Sequence, residues 1–183
     1  MDELRTLKER LETQRPTQWE ELPDIALYMD QVVGYMSRQL MECGEGDRLT
    51  SAMVNNYIKD GLLPRAEGKR YNRTHLAYLT AICAMKQVLP VRDAGLLAET
   101  GPGDERETYE RFRARLDTAL NEVAAELPDG QGAPDEALGE LALSLALRSY
   151  AHKLACLRVI ELIRQGRETP EKPKKERKEK KHE

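Results

Sequence analysis

The sequence predicts an all-α fold, and three observations carry that prediction. Apolar residues recur at i, i+3 and i+4 along most of the 183-residue chain, the spacing that gives a helix one buried face. No alternating run of β-branched residues is long enough for a sheet, and only one Phe and one Trp occur. Glycine and proline then punctuate the helical stretches at Pro16, Gly61, Pro64, Pro90, Gly101-Pro102-Gly103 and PDGQGAP at 128–134.

Taken in order, Leu4, Leu7 and Leu11 give a short amphipathic helix before Pro16. A second is expected from about Pro23 and Asp24 toward Cys43, with Ile25, Leu27, Tyr28, Val32, Tyr35, Met36 and Leu40 as core positions, followed by the GEGDRLT connection. Thr50 or Ser51 then caps a third helix by accepting a bond from an unpaired backbone N–H, and Met53, Val54, Tyr57 and Ile58 supply its apolar face. Gly61 stands where a helix ends in a left-handed residue, and Pro64 prevents it from resuming. Gly68, flanked by Arg65, Lys69 and Arg70, suits a small β-hairpin with a cationic tip. Asn72 caps the next helix, with Leu76, Leu79, Ile82 and Cys83 at helical spacing. A short helix, VRDAGLLAET, follows Pro90.

Helix, tight turn, basic ribbon and helix is the order in which a winged helix-turn-helix reads DNA. The pattern N-N-Y-x-x-x-G-L-L-P followed by G-x-R-Y resembles the DNA-binding half of MerR-type regulators. The longer run YMDQVVGYM, MVNNYIKDGLLP, KRYNRTHLAYL and MKQVLP resembles an uncharacterised family of Gram-positive bacterial proteins that carry a MerR-like helix-turn-helix and a domain-of-unknown-function label. The resemblance covers Leu22 to Glu99. It implies that Tyr57 matches a tyrosine touching DNA phosphate, that Val54 matches a core leucine and that Arg70 corresponds to the wing arginine, while Asn55 and Asn56 stand where MerR proteins usually have Arg and Tyr.

Asparagine pairs bidentately with adenine in the major groove, so Asn55 and Asn56 are the expected base readers. Tyr57, Lys59, Lys69, Arg70 and Arg73 are expected to hold phosphate, with Thr50 and Ser51 at a helix N-terminus whose N–H groups favour anions. Charge agrees with this reading. Residues 48–92 hold eight Lys or Arg against two acids, in a chain whose net charge is −3. Clustered cations supply counterion release and steering toward phosphate even in an acidic protein.

The chain is thereby divided into an N-terminal helix and linker (1–21), a MerR-like winged helix-turn-helix (22–101), a helical body (102–165) and a disordered Lys/Glu-rich tail (166–183). Asp104 caps the first body helix, with Phe112, Leu116, Leu120 and Val123 along it. In the last helix, 135–165, leucines occupy most of the circumference; Glu140, Ser144, Arg148 and His152 form a narrow polar stripe, so the other faces are expected to be buried, in the body or against a second subunit. A homodimer through this region is the expected assembly.

Neither an apolar leader near Met1 nor an uninterrupted apolar stretch of about 18 residues occurs, and a cytoplasmic protein is expected. Cys43, Cys83 and Cys156 lack CxxC spacing and read as reduced thiols. His75, His152 and His182 share no helix face with a second ligand, so no metal or cofactor is expected. A nucleophile elbow, a phosphate loop and a paired-carboxylate site are all missing from the sequence, which argues against an enzyme. The function expected is sequence-specific DNA binding in transcription regulation. The competing class is a protein-interaction module on the same helix-turn-helix scaffold.

Overall fold

A computed structural model describes residues 2–41, 48–100, 102–128 and 134–168. Among the described residues the helices are α1 (Asp2–Thr13), α2 (Met29–Met36), α3 (Ser51–Lys59), α4 (Arg73–Met85), α5 (Val91–Ala98), α6 (Glu105–Glu126) and α7 (Asp135–Glu168), with a 3-10 turn at Trp19–Glu21. Two compact units result, residues 1–139 with α1 to α6 and residues 140–183 with most of α7. Parts of the expected GEGDRLT and PDGQGAP connections, Gly101, Cys43 and the tail from residue 169 lie outside the described residues.

The first unit is organised around α4, which packs against α2, α5 and α6. Its residues Leu76, Leu79, Thr80 and Ile82 have no exposed surface, and His75, Ala77, Ala81 and Cys83 are also buried, so burial runs nearly round the helix. A buried hydroxyl must find a partner, and Thr80 Oγ1 donates to the Leu76 carbonyl at 2.8 Å. Val32, Val54 and Leu22 complete the innermost layer. Burial pushes the Cys83 thiol up to about 11, leaving it inert as a nucleophile.

The irregular segment between α1 and α2 is stitched to α6 by polar bonds. Tyr109 Oη donates to the Thr17 carbonyl (2.8 Å), Arg113 Nε to the Pro16 carbonyl (3.0 Å), and the Trp19 N–H to Glu110 Oε1 (2.7 Å). Arg15 reaches Asn121 Oδ1 at 2.6 Å and also pairs with Asp117. The buried Gln39 closes the other side, accepting from the Thr17 N–H (3.0 Å) and donating to Thr17 Oγ1 (3.1 Å).

Two sequence expectations are corrected. The second helix starts at Met29 rather than near Pro23, because Leu27 is extended and exchanges two backbone hydrogen bonds with Tyr71, at 2.8 and 2.9 Å. Ile25 and Tyr28, read as core positions, are consequently 67% and 48% exposed.

The β-hairpin wing does not form either: among the described residues there is no strand, only the isolated bridges Leu27–Tyr71 and Glu67–Arg70. The tip itself has hairpin geometry, since Gly68 (φ 55°) and Lys69 (φ 63°) both lie in the left-handed region and Glu67 and Arg70 exchange bonds of 3.2 and 2.9 Å. The next hydrogen-bonded rung would join Arg65 to Asn72. Asn72 is already the N-cap of α4, its carbonyl accepting from the Leu76 N–H (3.3 Å) and its N–H donating to His75 Nδ1 (3.2 Å). Capping the helix therefore ends the ladder after one rung.

The caps around this turn match their sequence signals. Thr50 Oγ1 accepts from the Met53 N–H (3.2 Å), and Asn72 Oδ1 from the His75 N–H (3.3 Å). Gly61 takes φ 73° after α3, where the Leu62 N–H donates to the Tyr57 carbonyl at 2.8 Å. Replacing Asn72 with Ala, or Gly61 with Ala, is expected to lower unfolding free energy by about 1 kcal/mol each, the first by removing a cap and the second by left-handed strain. Chemical denaturation with unchanged m-values checks both.

Candidate nucleic-acid interface

The residues singled out for DNA separate into an exposed set and a buried set. Ser51, Asn55, Asn56 and Lys59 of α3 are exposed, while Val54 and Tyr57 face the core. Helical geometry requires this split, because Val54 and Tyr57 are three residues apart on one face and Asn55, Asn56 and Lys59 fall on the other. Thr50 is exposed and spends its hydroxyl capping α3. Tyr57 is only 5% exposed, and burial pushes its phenol up to about 12, so it stays neutral.

The turn from Pro64 to Arg70 presents Arg65, Lys69 and Arg70, all exposed, with Glu67 as the one acid among them. Arg70 is held rather than swinging freely: its Nη2 donates to Tyr28 Oη at 2.8 Å and its guanidinium lies 4.8 Å from the centre of the Tyr28 ring. Such cation–π stacking orders an arginine without neutralising it. Tyr28 is the residue that the sequence reading missed, having been assigned to the core. Its approach to Arg70 follows from the Leu27–Tyr71 pairing between segments 44 residues apart in sequence, which leaves no local signal.

Arg73 behaves differently. Its Nη2 donates to the Leu22 carbonyl at 3.0 Å, its guanidinium lies 5.9 Å from the Trp19 ring, and its Nε is buried without a hydrogen bond. The side chain thus ties the start of α4 to the segment after α1. The structure brings Arg70 together with Tyr28 and turns Tyr57 and Arg73 inward.

His75 sits beneath the turn, buried, with its ring edge-on to Tyr71 at 5.4 Å between centroids. Burial lowers its pKa; nearby backbone carbonyls of Arg65 and Pro64 and the charge of Glu67 offset part of that effect. Because the folded value lies below the unfolded one, stability from the neutral ring is fully present above the ordinary histidine value near 6.5 and is lost as pH falls. Unfolding free energy is therefore expected to decline as pH drops from 7 to 5, with a smaller decline in His75→Gln, as read by denaturant titration at several pH values.

Among the described residues, no group of three or more His, Cys, Asp or Glu could hold a metal ion, and no helix is long and apolar enough to cross a membrane. No curated protein and no solved structure matches the chain. A family model does match, over residues 17–111, just over half of the 183 residues, and spans the Trp19 turn, α2 to α5 and the start of α6. The chain belongs to the DUF1836 family, a domain of unknown function.

Proposed function

We propose that this protein is a sequence-specific DNA-binding transcriptional regulator, with α2 and α3 as a MerR-like helix-turn-helix. The observation that carries the reading is the outward face of α3, where Asn55, Asn56 and Lys59 are exposed beside a turn bearing Arg65, Lys69 and Arg70. This stretch is strongly cationic in a chain of net charge −3. Asn55 and Asn56 read bases, while Lys59, Lys69 and Arg70 hold phosphate at the flanks. Thr50 and Ser51 bring the α3 N-terminus toward the backbone, and Tyr57 and Arg73 support the surface from beneath.

A homodimer fits this function, since a two-fold protein reads a two-fold operator. Support comes from α7 considered by itself. Leu143, Leu147, Tyr150 and Leu154, spaced four, three and four residues apart, are 52–64% exposed along one stripe of the single chain, which favours the second subunit over the body as the partner expected for this face. Residues 135–147 carry three acids and no Lys or Arg, whereas 148–168 carry five Lys or Arg and two acids. Two α7 helices laid antiparallel along the stripe set the acidic half of one against the basic half of the other.

The test is selection of random duplexes by the intact chain at two salt concentrations. Enrichment of a two-fold-related motif that survives the higher salt is the expected result, and no enrichment at either salt would transfer the assignment to a protein-interaction module. Asn55→Ala with Asn56→Ala is expected to relax sequence preference. Arg70→Ala should instead weaken binding to all duplexes alike and reduce the slope of log affinity against log salt by about 1. Sedimentation provides a separate check on assembly: the wild-type chain is expected to be dimeric, and Leu147→Lys with Leu154→Lys monomeric with its helix content retained.

A further inference from the structure

A cavity of about 430 Å³ opens between α4, α5 and the first half of α6 in the first unit, away from the residues assigned to DNA. Its origin is legible in the side chains. Ala77, Ala81 and Ala84 recur at spacings of four and three along α4, so that face of a helix otherwise rich in large residues is a shallow trough. Tyr78, Tyr109 and Phe112 stand as its aromatic walls. The volume lies within the range of roughly 300–1,000 Å³ that small-molecule sites occupy, and its lining is largely apolar with a few polar groups at the rim, as such sites are.

The rim sets the chemistry. Arg111, Arg115 and Glu105 reach it. Arg111 is committed within the protein, donating to the Pro102 carbonyl at 3.0 Å and to Thr108 Oγ1 at 3.3 Å. Glu105 is exposed, and its charge and that of Glu99 add to burial in raising the pKa of the Tyr78 phenol. Arg115 has no hydrogen bond or ion pair among the described residues. An apolar trough whose rim carries Arg111 and Arg115 against the single carboxylate of Glu105 complements a molecule with an apolar body and a single negative head.

We propose that this cavity binds a small amphipathic monocarboxylic acid, its hydrocarbon body on the alanine floor between the aromatic walls and its carboxylate paired with Arg115. This assignment does not rest on DNA binding, and its failure would leave the DNA reading untouched. The molecule carries its own reporter. Trp19 is the one tryptophan in the sequence, and its ring lies 6.1 Å from that of Tyr109, a cavity wall.

The experiment titrates the intact chain with decanoate, decanol and decyltrimethylammonium, following Trp19 emission and, independently, saturation-transfer NMR of the ligand. Decanoate is expected to saturate at lower concentration than either analogue. Arg115 is exposed, so Arg115→Gln is expected to weaken decanoate by roughly two- to fivefold, the range for a solvated ion pair, while leaving decanol unchanged. Ala81→Leu, which fills the trough, is expected to abolish both; should that variant not fold, the contrast between decanoate and decanol in Arg115→Gln decides alone. Absence of saturable decanoate binding, equal binding of the cationic analogue, or an unaltered decanoate affinity in Arg115→Gln would overturn the proposal. So would a groove that takes a second copy of the chain, seen as Ala81→Leu changing the sedimentation of a protein indifferent to decanoate.

Discussion

The burial of α4 is the constraint on which the rest of the first unit depends. A helix with Leu76, Leu79, Thr80 and Ile82 all at zero exposure must be surrounded, and α2, α5 and α6 do the surrounding. Removing large side chains of this kind from water contributes on the order of 2 kcal/mol each. α4 also connects two surfaces of different chemistry. Its N-cap, Asn72, ends the cationic turn, and its alanine-bearing face floors the apolar cavity. A ligand that pressed on the alanine face would act on the same rigid rod whose first residue, Arg73, anchors the approach to the turn.

The turn is a compromise between two demands on the same few residues. Gly68 and Lys69 adopt the left-handed geometry of a two-residue hairpin, yet Asn72 must leave the ladder to cap α4. One rung survives, and the Leu27–Tyr71 pair holds the base of the turn in place of a second. That pair carries Tyr28 to Arg70, so an exposed cation of the turn is ordered by stacking rather than by a sheet. An ordered guanidinium loses less freedom on meeting a phosphate than a free one.

The interior histidine and tyrosines respond to the same packing. His75 is driven toward its neutral form, and Tyr57 and Tyr109 toward their protonated phenols, because burial penalises whichever form carries charge. The polar atoms that burial isolates are mostly bonded, as with Thr80 and Gln39. Tyr35 Oη, Arg73 Nε and His75 Nε2 are the exceptions among the described residues, the last two at the start of α4.

Local chemistry by itself determined where α3, α4 and α6 begin and where α3 ends: Thr50, Asn72 and Asp104 cap as their side-chain oxygens allow, and Gly61 takes the positive φ that glycine adopts without a Cβ clash. The all-helical class was legible for the same reason, since helical periodicity is written over a few consecutive turns. Tertiary structure decided what depends on residues distant in sequence. Ile25 and Tyr28 have helical spacing with Val32 and yet lie outside α2, because Leu27 found Tyr71. Tyr57 and Arg73 have the residue types of a phosphate site and yet face inward, because the core and the Leu22 carbonyl claimed them. The exposed stripe of α7 and the alanine trough of α4 are likewise invisible in composition: an apolar residue looks the same in sequence whether or not another element arrives to cover it.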